Sequence, residues 1–228
     1  MIQIPIANRG AFPPEVLELL QAFHRAGFFD EAMLVGSWVM PLYQQAFGIP
    51  YILRTLDIDF AVRFAGRERG KAADIESVIT GLGYLPVMMQ SGIRKFTREN
   101  FSIEFIVHRK GGSEDRVVTV RKWNVTAVPL PFVDILLDFP FLADFGEFQV
   151  RAPFPEAYLV QKLLTVRRRQ VESKKDKDLD QCAVIAGRLD EDRLTQVVRS
   201  LKLSVENSKA LSEACDAIGF SPQRLGLK

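Results

Sequence analysis

The chain has 228 residues, of which 47% are hydrophobic and 25% are charged, and its formal net charge is +2. These values are typical of a globular protein with one large or two small domains, and the small net charge by itself indicates no nucleic-acid partner. Two cysteines, Cys182 and Cys215, are too few for a disulfide framework and form no metal motif. No stretch approaches the roughly 18 apolar residues of a membrane span, and the first residues lack a signal-peptide pattern. We therefore expect a soluble cytoplasmic protein with no membrane partner.

The first two thirds of the chain alternate between helical and strand patterns. The spacing of apolar residues predicts helices over 12–27, 38–47 and 70–84. Short apolar or alternating runs predict strands at 31–37, 56–64, 85–92, 93–100 and 101–109. Two further runs, 123–140 and 146–153, are expected to complete the same sheet. This order predicts an α/β (α+β) fold with a mixed sheet and flanking helices.

The pattern becomes entirely helical after about residue 155. Four helices are predicted at 155–170, 173–189, 190–201 and 205–220. Ser173 is the expected N-cap of the second of them. The sequence therefore predicts an α/β domain over 1–154 and a helical C-terminal domain over 155–228.

Three carboxylates stand out on two of the predicted strands. Asp57 and Asp59 share one face of the strand in "TLDIDFAV", because successive strand residues point to opposite faces. Glu104 has the same setting in "FSIEFIV". If the two strands are neighbours, the three carboxylates meet, and clustered oxygen ligands suit Mg²⁺ or Mn²⁺. The alternative for Asp-x-Asp alone is a solvated strand edge.

Gly36 and Ser37 end an apolar strand about twenty residues before the paired acids. A glycine there lets the backbone approach a ligand closely, and free N–H groups at the start of the following helix favour an anion. The alternative is a plain turn glycine followed by a helix cap. A phosphate seat beside an acidic cluster fits a nucleoside triphosphate.

These residues resemble the nucleotidyltransferase superfamily, which has the fold of the catalytic region of DNA polymerase beta. The family pattern is a Gly-Ser turn, an acid-x-acid on the next strand and a third acid on a later strand, here Gly36-Ser37, Asp57-x-Asp59 and Glu104. The spacing between the turn and the first acid is longer than in compact members. The resemblance implies metal-dependent transfer of a nucleoside monophosphate, with the three acids as catalytic metal ligands.

The C-terminal helices resemble those of uncharacterised and toxin-like bacterial branches of that superfamily. Lys162 fits the lysine of "Pro-Glu-…-Lys-Leu", and Lys177 and Asp178 begin the matching "KDLDQ". The resemblance implies that the lysines bind the triphosphate as point charges, with Asp178 orienting a lysine or arginine through an ion pair. The alternatives are a solvated charged face for the Lys/Arg run and a snorkelling side chain for Lys162.

Two functional hypotheses follow from these residues. The first is a metal-dependent nucleotidyltransferase that uses a nucleoside triphosphate and Mg²⁺ or Mn²⁺, with a small molecule, a protein or tRNA as acceptor. The second is a catalytically degenerate nucleotide-binding or protein-interaction module, with a protein partner, as in one half of a toxin–antitoxin pair. An intact set of acids favours the first.

Overall fold

The computed structural model describes residues 1–51, 55–64, 72–109 and 117–227. Its strands are β1 (Gln3–Pro5), β2 (Ala32–Val35), β3 (Asp57–Val62), β4 (Leu85–Met88), β5 (Arg94–Arg98), β6 (Phe101–His108), β7 (Val118–Val120), β8 (Val125–Leu130), β9 (Pro140–Asp144) and β10 (Gln149–Pro153). Its α-helices are α1 (Pro14–Arg25), α2 (Met40–Phe47), α3 (Ile75–Gly81), α4 (Val133–Asp138), α5 (Pro155–Thr165), α6 (Glu172–Ala186), α7 (Glu191–Ser200) and α8 (Val205–Ala217). The predicted mixed α/β class is confirmed.

The larger sheet is mixed and has the strand order β2-β3-β6-β5-β4, with β8 beside β6 and β7 beside β8. Strand β3 lies between β2, to which it is antiparallel, and β6, to which it is parallel. Its core face carries Ile58 and Phe60, and β6 adds Ile103 and Phe105 to the same face, all essentially inaccessible to solvent. This alternation leaves the opposite face of both strands for polar residues.

The prediction that 146–153 completes the same sheet is wrong. Strand β10 pairs antiparallel with β9, and β9 pairs parallel with β1, which gives a separate three-stranded sheet. The short N-terminal strand and β9 were not predicted as separate strands. Period-2 patterns identify strands but do not specify their partners, so the division into two sheets depends on tertiary contacts.

Residues 123–140 are not one strand either, because helix α4 follows β8. Phe132 adopts a left-handed conformation with φ 62° and ends the extended segment. Val133, Leu136 and Leu137 then recur at helical spacing and are buried. The short apolar run is compatible with strand or helix, and packing decides between them.

Two predicted helix starts also differ from the structure. Helix α3 begins at Ile75, where the Asp74 carboxylate accepts a hydrogen bond from the Ser77 backbone N–H at 3.1 Å. The start predicted at residue 70 lies outside the described residues. Helix α6 begins at Glu172, and Ser173 is not its N-cap, because Val171 occupies that position without a side-chain hydrogen bond.

Helix α5 is the central element of the C-terminal half. Every residue from Pro155 to Leu164 is buried, including the charged Glu156 and Lys162. The helix contacts α4, α6, α7 and α8, and its apolar residues belong to the same core as those of the sheet. A domain boundary at residue 154 stays a prediction. Within the described residues, no helix combines the length and hydropathy needed to cross a membrane.

Candidate functional site

The paired strands β3 and β6 bring the predicted acids together. Asp59 lies directly opposite Glu104 in the parallel register, and Asp57 lies opposite Ser102. The three carboxylates therefore share one sheet face, and all of them line a cavity of about 330 Å³. The predicted adjacency of the two acidic strands is confirmed.

Asp59 has an electrostatically unfavourable environment. Burial, and then the negative charge of Glu104, raise the pKa of the Asp59 carboxyl from 3.8 to about 6. The positive charge of Lys162 opposes this shift, and the negative charge of Asp57 adds to it. Burial and the neighbouring carboxylates therefore disfavour the ionised form of Asp59, and a bound cation would favour it.

The position of the Asp59 side chain requires a glycine at residue 36. Val35 pairs with Asp59 across β2 and β3, and the chain then turns at Gly36 with φ 66°. A Cβ at this residue would lie 2.1 Å from Asp59 Oδ2. The glycine therefore supplies both the left-handed conformation and the space that the carboxylate occupies.

We expect Gly36→Ala to displace Asp59 and to reduce function far more than stability alone explains. A left-handed conformation costs a non-glycine residue roughly 1–2 kcal/mol. Gly48→Ala is the matched control, because Gly48 has the same φ of 66° but no atom within 4 Å of the added Cβ. Urea unfolding of both variants should show the shared strain, and only Gly36→Ala should impair the nucleotidyl transfer that the sequence resemblance leads us to expect. Equal activity of the two variants would contradict this role of Gly36.

Ser37 lies at the start of a helical segment, but its first turn is not α-helical. Residues Gly36–Val39 form a 3-10 turn that leads into α2 at Met40. The Ser37 side chain is buried and lines the cavity. Its Oγ accepts a hydrogen bond of 2.9 Å from Gln181 Nε2 of helix α6. The phosphate-seat role of Gly36 and Ser37 stays a prediction.

Lys162 lines the same cavity as the acids and forms a buried ion pair. Its Nζ contacts Asp178 Oδ1, and Arg169 Nε lies 2.7 Å from Asp178 Oδ2. Lys162 is 7% exposed and Asp178 is 1% exposed. Burial disfavours the charged form, yet the two cations hold the pKa of the Asp178 carboxyl below its ordinary value. The expected ion pair between Asp178 and a lysine or arginine is present in the structure.

Further cations line the cavity. Lys177, Arg168 and Lys174 are among the lining residues. Burial, followed by the positive charge of Lys162, lowers the pKa of the Lys177 ammonium. The cavity therefore combines acidic and basic side chains, a composition that suits a polyanion bound together with a cation.

Among the residues that the structure describes, Glu104 differs from the other two acids because it already has a cationic partner. Lys95 of strand β5 contacts Oε1 of Glu104 on the neighbouring strand β6. Within the described part of the chain, no group of three or more His, Cys, Asp or Glu side chains is arranged to hold a metal ion. The sequence did not identify Lys95, because only the β5–β6 pairing places it beside Glu104.

The cavity also has an apolar wall that the sequence did not reveal. Strand β6 contributes Ile106, β8 contributes Val128 and Leu130, and α4 contributes Leu136.

Gln181 and Tyr158 are further residues that the prediction did not include as site residues. Gln181 belongs to the "KDLDQ" segment, and the helical spacing of apolar residues there could have predicted that Gln181 is buried.

Two comparisons with known proteins found similarity to nucleotidyltransferases. A family model described as nucleotidyltransferase matches residues 14–205, a range that contains Gly36 through Gln181. Among solved structures, an antigenic nucleotidyltransferase-like protein from Paracoccidioides brasiliensis is similar, with 12% sequence identity and a TM-score of 0.47. The similarity covers 94% of this chain and 92% of that chain. No curated protein matches the sequence at a significant level.

Proposed function

Because the chain belongs to a nucleotidyltransferase family, we propose that it transfers a nucleoside monophosphate from a nucleoside triphosphate to an acceptor hydroxyl with the help of a divalent metal ion. The observation that carries this proposal is one cavity that Asp57 and Asp59 line together with Lys162 and Lys177. The acids suit a cation and the lysines suit phosphate oxygens. The apolar wall at Ile106 leaves a surface for the sugar and base.

The residues present fit Mg²⁺ or Mn²⁺. Asp57 and Asp59 offer hard oxygen donors from one strand face, and burial and then the charge of Glu104 raise the pKa of Asp59, so a bound cation would favour its ionised form. Mg²⁺ is commonly held by one or two carboxylates together with substrate phosphates and water. Asp57 and Asp59 would hold the ion, which would polarise the phosphoryl group and neutralise its developing charge.

The chain's own residues would then position the reactants. Ser37 and the backbone at Gly36 would bind phosphate oxygens, and Lys162 and Lys177 would balance the charge of the phosphates. The acceptor oxygen forms a bond to the α-phosphorus as the bond to pyrophosphate breaks. Because Lys95 holds Oε1 of Glu104, the other oxygen, Oε2, would receive the proton of the acceptor hydroxyl.

We expect Lys95→Met to increase the affinity for Mn²⁺ by about five- to tenfold. The unpaired Glu104 carboxylate would add one negative charge to the site, and a screened charge interaction of about 1 kcal/mol corresponds to that factor. Arg94→Met is the matched control, because Arg94 on the same strand pairs with Glu76 and neither residue lines the cavity. Free Mn²⁺ can be measured by electron paramagnetic resonance. An unchanged affinity in Lys95→Met would mean that the Lys95–Glu104 pair does not influence the metal site.

The second candidate is a degenerate member that binds nucleotide without transfer, for example with an antitoxin-type protein partner. The Lys95–Glu104 pair favours it, because one of the three predicted acids already has a cationic partner. This candidate transfers nothing to an acceptor, whereas the first candidate uses a small molecule, a protein or tRNA as acceptor.

The two candidates are separated by a transfer assay. The protein is incubated with each nucleoside triphosphate labelled at the α-phosphorus, with Mg²⁺ or Mn²⁺, and with small alcohols, total tRNA or the protein itself as acceptor. We expect label in one acceptor class together with release of pyrophosphate, and no transfer by Asp57→Asn. Nucleotide binding without transfer to any acceptor would support the second candidate.

A further inference from the structure

Gln181 is a completely buried polar residue at the junction between helix α6 and the Gly36-Ser37 turn. Its Nε2 donates hydrogen bonds to Ser37 Oγ at 2.9 Å and to the Tyr51 hydroxyl at 3.0 Å. Its Oε1 accepts a hydrogen bond of 2.8 Å from the Tyr158 hydroxyl. The exposed fraction of Gln181 is 0%, so no solvent competes for these bonds.

Tyr158 determines which way the Gln181 amide points. Burial, and then the charge of Asp178, raise the pKa of the Tyr158 hydroxyl, so this group keeps its proton. A buried hydroxyl must donate that proton or lose the energy of a hydrogen bond. Within the described residues, Gln181 Oε1 is the acceptor in contact with it. A flipped amide would remove this acceptor, so the NH₂ group faces Ser37.

This orientation determines what the Ser37 hydroxyl can do. A serine hydroxyl has one proton to donate and two lone pairs that accept. Gln181 occupies a lone pair of Oγ, so the Ser37 proton is not used in this contact. Because Ser37 lines the cavity, its proton is available to a phosphate oxygen there.

We propose that Gln181 is a positioning residue for nucleotide binding, which keeps Ser37 as a hydrogen-bond donor toward the phosphates. This inference rests on the proposed function and adds a residue from the C-terminal helices to the phosphate site. Helix α6 thereby contributes to the site in two ways, with Lys177 and Asp178 through charge and with Gln181 through the direction of one hydrogen bond.

The test is a double-mutant cycle with Gln181→Met and Ser37→Ala. The probe is inorganic tripolyphosphate with Mg²⁺, measured by titration calorimetry, because it reports on the phosphate site without a base. Ser37→Ala should weaken binding about tenfold, the loss expected for one charge-assisted hydrogen bond. Gln181→Met should weaken binding about three- to tenfold when Ser37 is present and should have no further effect in the Ser37→Ala background.

Ile185→Ala is the control for a merely structural role. Ile185 lies one turn further along α6, is completely buried and has no polar side-chain atom that could take part in the Gln181 hydrogen bonds. This variant should lower the melting temperature without changing the affinity for tripolyphosphate. If Ile185→Ala weakens binding as much as Gln181→Met does, or if the losses of Gln181→Met and Ser37→Ala add, the positioning role is wrong. If the wild-type protein does not bind tripolyphosphate, the proposed phosphate site itself fails.

Discussion

Replacing Asp59 with asparagine is expected to abolish nucleotidyl transfer and, at the same time, to stabilise the metal-free protein at neutral pH. Asp59 would lose its capacity as a metal ligand, and even the loss of residues behind a metal ligand costs about 10- to 100-fold. We therefore expect transfer to fall by more than about 100-fold. Asp57→Asn should cause a comparable loss, because both carboxylates lie on the same strand face.

The gain in stability follows from the pKa of Asp59. The folded state raises this pKa from 3.8 to about 6, so between these pH values the folded protein holds a proton that the unfolded chain releases. The free energy of unfolding therefore falls as the pH rises from about 4 to 6, and it stays lower above that range. The difference between the two pKa values corresponds to about 3 kcal/mol at most.

Urea unfolding in chelator-treated buffer from pH 4 to pH 8 measures this effect. The wild-type protein should lose stability across the window, whereas Asp59→Asn should show a flatter profile and exceed the wild type at pH 7. Added Mg²⁺ should stabilise the wild-type protein and not the variant. Marked destabilisation of both Asp57→Asn and Asp59→Asn without metal would indicate that the two acids form structural ion pairs.

Replacing Lys162 with methionine is expected to weaken binding of a nucleoside triphosphate by about ten- to a hundredfold. A charge-assisted contact with phosphate contributes on the order of 1.5–3 kcal/mol, which corresponds to that factor. Binding of the nucleoside without phosphates should barely change. The variant should also lose stability, because Asp178 is left buried with Arg169 as its remaining partner. Removing one member of a buried pair costs roughly 3–5 kcal/mol, and the retained Arg169 should reduce that cost.

Arg193→Met is the matched control for the loss of stability. Arg193 Nε lies 3.2 Å from Glu156 Oε2, and Glu156 is a buried carboxylate on the same helix as Lys162. Neither Arg193 nor Glu156 lines the cavity. Both variants should unfold at lower urea concentration, and only Lys162→Met should lose triphosphate affinity. Equal affinity in Lys162→Met and the wild-type protein would remove Lys162 from the phosphate site.

The sequence alone determined the features that depend on local pattern. The period-2 alternation in β3 and β6 predicted that Asp57, Asp59 and Glu104 would each lie opposite a buried apolar face, and the structure confirms it. The four C-terminal helices were also predicted from their spacing, as was the turn at Gly36. These features follow from backbone periodicity and from the conformational freedom of glycine, which neighbours along the chain are sufficient to specify.

The tertiary structure alone decided which of these features meet. The contact between Lys95 and Glu104 depends on the register of the neighbouring strands β5 and β6, and helix α4 depends on packing. The second sheet depends on the pairing of β1 with β9, two segments that are far apart in the chain. The same holds for Gln181, which lies 144 residues from Ser37 in sequence and 2.9 Å from it in space. A buried amide carries no signal in sequence for its partner, because packing, and not periodicity, selects which hydroxyl it contacts.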